Sequence, residues 1–415
     1  MKSLLIAPTM PDDAGNGLAM RVGVFLEALS SLGELDVILL PMFGTAEAES
    51  ALCRRLGVRP HIVPVVGRAE THFSIVASMA DPQARAEAFI RYGKPSLSAF
   101  LSVPVLREIQ VLTAERGFDL VHLARSYLLP AAGIWSPGQK PTVSVDLDED
   151  DAETHRRIGA LHARRGDDFR AKWLEAEARA FDRLIEIWLP RTDLSFIATE
   201  RERDAIAERY RVRPLIAGNT VAIPPAASRE PPDRTLLFVG GFGYFPNLDA
   251  ACWLLEEVFP QLINRCGTAV SMTLVGRNPS RRLLALAEQT GVQLLQDVTD
   301  LAPLYARASI ALVPIRAGGG SRIKLLEAAA YRVPIVATSA GAENSGLDDG
   351  SEIWVADTAE AIVEACVAIW AEPAEAMRRS AAAREIVVAR HSRPAMVSAL
   401  RSYFASHLSG AGAQP

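Results

Sequence analysis

The chain has little cysteine and no long apolar run. Its four cysteines, Cys53, Cys252, Cys266 and Cys366, are scattered without metal or redox spacing, so they read as buried, reduced thiols rather than as a disulfide framework or a zinc site. No stretch approaches the roughly 18 consecutive apolar residues of a transmembrane helix. The opening MKSLLIAPTMPDD holds too short an apolar run for a secretory signal and reads directly as a strand. A surplus of positive charge is absent too. The net charge of −5 gives no footprint for a nucleic-acid partner. No internal repeat recurs at solenoid periods. A dinucleotide fingerprint is also missing, because in GGFGYFPN Pro246 takes the place of the third glycine of G-x-G-x-x-G. The expectation is a cytoplasmic protein whose membrane contact, where it has any, is peripheral at the inner face.

What is present is enough apolar residue for two cores. The chain has 415 residues, 49% hydrophobic and 22% charged, which suits two domains of ordinary size. Short apolar strands alternate with amphipathic helices, the pattern of parallel sheets. Strands are expected at Ser3 to Ala7, Leu35 to Leu40, His61 to Val66, Asp119 to Leu123, Thr142 to Val145, Glu186 to Pro190 and Leu215 to Ile216, with one long helix from Glu153 to Ile185. After the polar, proline-rich AASREPPDR the alternation restarts at Leu236 to Val239. The expected division is 1–225, a linker over 226–234, a second domain over 235–392, and a C-terminal helix and tail over 393–415 that packs back on the first domain. The fold class is α/β, with two Rossmann-like, doubly wound parallel sheets and a ligand cleft between them.

The most informative stretch runs from Ser309 to Thr338: strand, glycine loop, helix, strand. Gly318, Gly319 and Gly320 let backbone approach a ligand closely, and Ser321 is placed to cap the helix. Arg322 and Lys324 then fall in the first turn, where the helix dipole is positive and carboxylates are the usual choice. Two cations fit there if an anion sits at the helix N-terminus. Glu327, one turn on, can accept hydroxyl hydrogens from a ribose or sugar. The plain alternative is a solvated helix face with a Lys324–Glu327 pair worth a few tenths of a kcal/mol. The loop lies at the carboxyl end of an expected strand, where open α/β sheets bind ligands, and this favours the site reading.

Weaker candidates lie in the first half. Gly15, Asn16 and Gly17 with Arg21 repeat the theme of glycine plus early cation, although an ordinary strand-to-helix connection explains them too. His122 and Arg125 fall at the carboxyl end of FDLVHLA, where a lone histidine is as readily a core residue. The acidic run DLDEDDAE offers Asp146 and Asp148 as cleft residues, while a carboxylate-rich helix start accounts for the rest without a metal. The segment from Arg68 to Ser102 mixes aromatics with Arg85, Arg91 and Lys94, which suits plain packing, an acceptor or a membrane surface.

Taken together, LLFVGGFGYFPNLDA, VTDLAPLYARASIALVP, GGGSRIKLLEAAAYRVPIVAT and GAENSG, with PTMPDDAGNG, FDLVHLA and AGNTV earlier, resemble the retaining GT-B glycosyltransferases of the family-4 group. The resemblance implies an enzyme that moves a sugar from a nucleotide-diphosphate donor to a glycan, lipid-linked or small-molecule acceptor, in cell-surface polysaccharide or glycoconjugate synthesis. It implies that Arg322 and Lys324 hold the diphosphate and that Glu327 takes the ribose hydroxyls; His122 is added to the catalytic candidates from its place at a strand's carboxyl end. Gly318 to Gly320, Ser321 and Gly241 would line the donor, Gly15 to Gly17 would close over it, and Gly276 with Arg277 would border the base. From their positions in a first turn and at strand ends, rather than from the resemblance, Arg21, Arg125, Asp146 and Asp148 are the acceptor-side candidates. No metal or cofactor is implied beyond the donor itself. Two departures stand out. Gly319 stands where the family has the first of two glutamates, and the basic pair that often follows the second domain's first strand is missing from GGFGYFPN. A non-catalytic nucleotide-sugar-binding subunit is the alternative that the first departure supports. A nucleotide-sugar epimerase is the one that the acidic run supports.

Overall fold

The structure, a computed structural model, describes residues 1–13, 17–42, 49–136, 138, 141–225, 234–320 and 322–410. It divides into two compact units, Met1–Thr220 with Arg393–Pro415 and Val221–Ser392. Gly15, Asn16 and Ser321 lie outside the described residues.

The first unit holds strands β1 (Lys2–Ala7), β2 (Glu34–Leu39), β3 (His61–Ile62), β4 (Leu120–Ala124), β5 (Thr142–Asp148), β6 (Leu194–Ile197) and β7 (Leu215–Ile216). They form one parallel sheet in the order β3-β2-β1-β4-β5-β6-β7. Nearly unbroken apolar strands are what a parallel sheet needs, because helices cover both of its faces. Side chains alternate across the sheet. Leu4, Ile6, Val121, Leu123, Val143 and Val145 enter one core, and Leu5, Ala7, Val37, Leu120 and Phe196 enter the other. The helix Arg393–Leu408 completes this second core with Met396, Leu400 and Phe404, spaced at four residues on one helical face and packed with the helix Gly17–Ser30. Arg393 Nε donates to Glu27 at 2.7 Å and pins its start.

Three expectations are corrected here. No strand forms from Glu186 to Pro190; the helix Asp168–Trp188 runs into a single 3-10 turn, and the strand is β6, further on. Burial explains it, since Leu184, Ile185 and Leu189 are inside while Glu186 and Ile187 are exposed, a helical period rather than an alternating one. The long helix is two, Asp151–Arg164 and Asp168–Trp188, broken near Gly166 at φ 77°. The third strand pairs only over His61–Ile62, because Pro64 has no N–H to offer the ladder.

The second unit holds β8 (Thr235–Val239), β9 (Ser271–Val275), β10 (Gln293–Leu295), β11 (Ile310–Val313), β12 (Ile335–Ala337) and β13 (Trp354–Val355). This sheet is also parallel, in the order β10-β9-β8-β11-β12-β13. The strand order reverses between β8 and β11, and the carboxyl ends of those two strands are where a doubly wound sheet presents its ligand loops. Among the described residues no helix is long and apolar enough to cross a membrane.

Phe404 is fully buried, 5.3 Å from the Phe196 ring. Phe404→Ala is expected to cost the first unit about 3–5 kcal/mol by loss of transfer energy and cavity formation. Hydrogen exchange should show the loss in β1, β4 and β6 and leave β8–β12 protected. Equal loss of protection in both units would overturn the assignment of the last helix to the first core.

Candidate functional site

Two loops meet the switch point of the second sheet: Gly240–Tyr244 after β8 and Pro314–Gly320 after β11. Gly276 fits against the first of them. A Cβ there would lie 1.9 Å from the Gly240 carbonyl oxygen, so this position is held to glycine by backbone packing. Gly241 accepts a hydrogen bond from Asn247 Nδ2 at 2.9 Å, and a Cβ on it would meet nothing within 4 Å. Arg277, expected to border the base, is 62% exposed with Asp297 at 3.6 Å.

The second loop is shaped by Arg322. Gly318 has φ 119°, a conformation that side-chain-bearing residues rarely adopt, and a Cβ would also stand 3.0 Å from Tyr244 Oη. Its carbonyl and that of Gly319 turn back to accept from Arg322 Nη2 at 3.1 Å and Nη1 at 2.7 Å. Arg322 Nε donates to the Ala340 carbonyl at 2.9 Å, and Glu343 stands 3.9 Å from Nη2. Arg322 is 5% exposed. The expectation that Arg322 meets a diphosphate is therefore corrected. Its guanidinium is engaged by the loop's own carbonyls, which would otherwise lie buried without partners. Gly320 is buried in the same loop.

The helix Ile323–Ala330 follows, with Arg322 itself at the cap position. Lys324 lies in its first turn, half-buried, and makes no hydrogen bond or ion pair among the described residues. Burial, and then the Arg322 charge, bring its ammonium down to about 8, with Glu327 opposing. Glu327 is also half-buried. Burial pushes its carboxyl up, against a hydrogen bond from Tyr305 Oη at 3.3 Å and the charge of Lys324. Tyr305 is nearly fully buried and stacks on Tyr331 at 4.8 Å. Among the described residues the amine thus has no hydrogen-bond partner, and it stands in the first turn of the helix, at the positive end of its dipole, with the Glu327 carboxylate as the opposing charge.

Residues 233–372 match the family model described as Glycosyl transferases group 1. This segment is a group 1 glycosyltransferase domain. A sucrose-phosphate synthase from Thermosynechococcus elongatus superposes with a TM-score of 0.67 at 15% identity, covering 99% of each chain. HepE from Anabaena, solved in complex with UDP and glucose, gives 0.61 at 13% identity, again over 99% of each chain. A glycosyltransferase from Rickettsia africae gives 0.60 at 11%, over 98% of each. At these identities the likeness is one of fold, and the fold is GT-B. An uncharacterized 44.6 kDa protein in the cps region of Klebsiella pneumoniae is 25% identical over 130 residues, 29% of this chain and 33% of the relative. The match thus spans about a third of that relative's length.

Outside the glycosyltransferase domain, the four acceptor-side candidates of the first unit do come together, but as a closed ion network. Arg21 grips Asp146 with two hydrogen bonds of 2.6 and 2.7 Å and donates to the Ala217 carbonyl and to Asn219 Oδ1 at 2.8 and 3.1 Å. Asp148, at φ 65°, stands 3.2 Å from Arg21 Nε and accepts from Arg125 Nη1. Arg125 also donates to Asp151 at 2.9 Å. Burial pushes the Asp148 carboxyl up, but the charges of Arg21 and Arg125 outweigh it and hold it below the usual range. Buried charges that are mutually paired are costly to break, so these residues brace the ends of β4 and β5 and are not open to a ligand. Gly17 opens the helix that carries Arg21 and is half-buried.

His122 is the clearest correction. It is fully buried in β4, stacked on Phe25 at 4.3 Å and edge-on to Phe196 and Phe404, with Nδ1 2.9 Å from Ser144 Oγ. Burial, and then the charge of Arg21, push it down to about 3. It is a neutral core residue. Residues that the sequence did not single out include Asn219 and Asp249, both buried, and Tyr305. Each lies in a stretch that carries the family resemblance (AGNTV, GGFGYFPNLDA and VTDLAPLYARASIALVP), which is the sequence signal that could have found them.

A histidine held at about 3 when folded and near 6.5 when unfolded adds stability above pH 6.5, and this is lost as pH falls toward 3. Between pH 7 and pH 5 the wild type should lose about 2 kcal/mol more than His122→Phe. Urea melts at both pH values test this. Equal acid sensitivity would mean that His122 is not a buried neutral ring.

Proposed function

We propose that the protein transfers a sugar from a nucleoside-diphosphate donor to a glycan, lipid-linked or small-molecule acceptor, with retention of the anomeric configuration. Lys324 carries this reading. Its half-buried ammonium, without a hydrogen-bond partner among the described residues, lies in the first turn of the helix after the glycine loop. Charge grows on the departing diphosphate as the glycosidic bond breaks, and a cation already in place stabilises it without reorganisation. Loop amides supply further donors, so no metal is assigned a role. Glu327, held by Tyr305, accepts the ribose hydroxyls. The HepE complex with UDP and glucose supports a uridine donor, and the relative from a cps region supports a cell-surface polysaccharide as product. Work on such a product places the protein at the inner face of the membrane, in peripheral contact with it.

A second reading, a subunit that binds nucleotide sugar without turning it over, draws on Gly319, where a carboxylate is absent and the carbonyl is taken by Arg322. Release of nucleoside diphosphate from a nucleotide sugar, dependent on added acceptor, separates the two.

Calorimetry with UDP, GDP, ADP, TDP and CDP should find one that binds, and Lys324→Ala should weaken it by about 1.5–3 kcal/mol, the range for a charged hydrogen bond. Unchanged affinity would remove the assignment.

The pH dependence follows from the same amine. A bound anion raises the Lys324 pKa above its free value of about 8, so binding takes up a proton above that pH. Affinity should be flat below pH 8 and fall by up to about tenfold per unit above it. In Lys324→Arg it should stay flat, and a slope that persists there would assign the titration to another group.

A further inference from the structure

Arg316 and Arg322 flank the same glycine loop but are bonded in opposite ways. Arg322 has Nε, Nη1 and Nη2 all engaged by the protein. Arg316 gives only one edge: Nε and Nη2 donate to the two oxygens of Asp249 at 2.8 and 3.0 Å. Asp249 is fully buried, and the guanidinium lies 4.8 Å over the Trp253 ring. Nη1 makes no hydrogen bond among the described residues, and the side chain is 31% exposed.

A two-point carboxylate pair fixes the plane and heading of a guanidinium, and an indole on one face removes much of its remaining freedom. What is left is a rigid edge with two N–H donors, the geometry suited to phosphate oxygens. Asp249 and Trp253 sit on the helix Phe245–Trp253, directly after the glycine loop of β8. That is the loop whose expected basic pair is missing. The helix presents no cation of its own there; it holds one that arrives from β11.

Resting on the donor-site reading above, we propose that Arg316, not Arg322, is the guanidinium that meets the donor's diphosphate alongside Lys324. Three residues past β11, Arg316 lies beside the switch point of the sheet, and with Lys324 it supplies two positive charges to a group that carries two or more negative ones.

The test is calorimetry of inorganic pyrophosphate and of UDP with the full chain. Arg316→Gln alone takes the guanidinium away from the buried Asp249 carboxylate, so it is made beside Arg316→Gln/Asp249→Asn, which removes both charges and keeps an amide pair. The double variant should unfold near the wild-type midpoint and bind pyrophosphate at least tenfold more weakly, and Arg316→Lys should recover part of the loss. A folded double variant that binds pyrophosphate and UDP within twofold of wild type, while Lys324→Ala weakens both, would overturn the role of Arg316 and leave the donor site standing. If Lys324→Ala changes neither, the donor-site reading fails and Arg316 falls with it.

Discussion

The guanidinium of Arg322 gathers the carbonyls of Gly318, Gly319 and Ala340, and so joins the loop after β11 to the turn after β12. Backbone oxygens at a tight glycine turn have no ladder or helix to satisfy them, and leaving them buried and unpaired costs about 1–3 kcal/mol each. One side chain with five donors meets that need where water would otherwise enter. The consequence reaches the next turn. Burial, and then the Arg322 charge, bring Lys324 down to about 8, and among the described residues its ammonium has no hydrogen-bond partner. A cation held inside the loop thus lowers the affinity of its neighbour for a proton.

The first unit applies the same physics to the opposite end. Arg21 and Arg125 are as buried as Arg322, but their partners are carboxylates, and the network closes on itself. Positive φ at Arg125 (119°) and Asp148 (65°) shows how far the backbone bends to make those pairs. An ion cluster that satisfies its own charges stiffens strand ends and offers little to a ligand. The contrast is between Arg21 and Arg125, answered chiefly by carboxylates, and Arg322, answered chiefly by carbonyls.

The sheets were legible because parallel strands buried on both faces are written as short apolar runs, and β1, β4, β9 and β11 fall where such runs do. The error at Glu186 to Pro190 came from a run too short to tell strand from helix by periodicity alone. The glycine loop itself was legible between two apolar strands, but the placement of its cations was not. Sequence places Arg322 and Lys324 two residues apart on a first turn and says nothing of which one turns inward. That depends on Ala340, eighteen residues further on, whose carbonyl reaches Arg322 only once β12 lies beside β11. His122 shows the same limit, since its aromatic cage comes from Phe25, Phe196 and Phe404, far apart in the chain.

Charge bookkeeping around the loop gives the departure at Gly319 a physical sense. Three cations, Arg316, Arg322 and Lys324, stand against Asp249, Glu343 and Glu327. Asp249 is bonded to Arg316, Glu343 lies 3.9 Å from Arg322, and Glu327 is turned to Tyr305. A further glutamate at position 319 would stand next to the carbonyl that Arg322 holds and compete for that guanidinium. With glycine there, Arg322 keeps its three carbonyls, the loop keeps its shape, and the positive field at Lys324 is not cancelled. Losing one carboxylate and keeping the backbone clamp are therefore parts of a single arrangement, in which the Arg322 guanidinium stays with the loop's carbonyls.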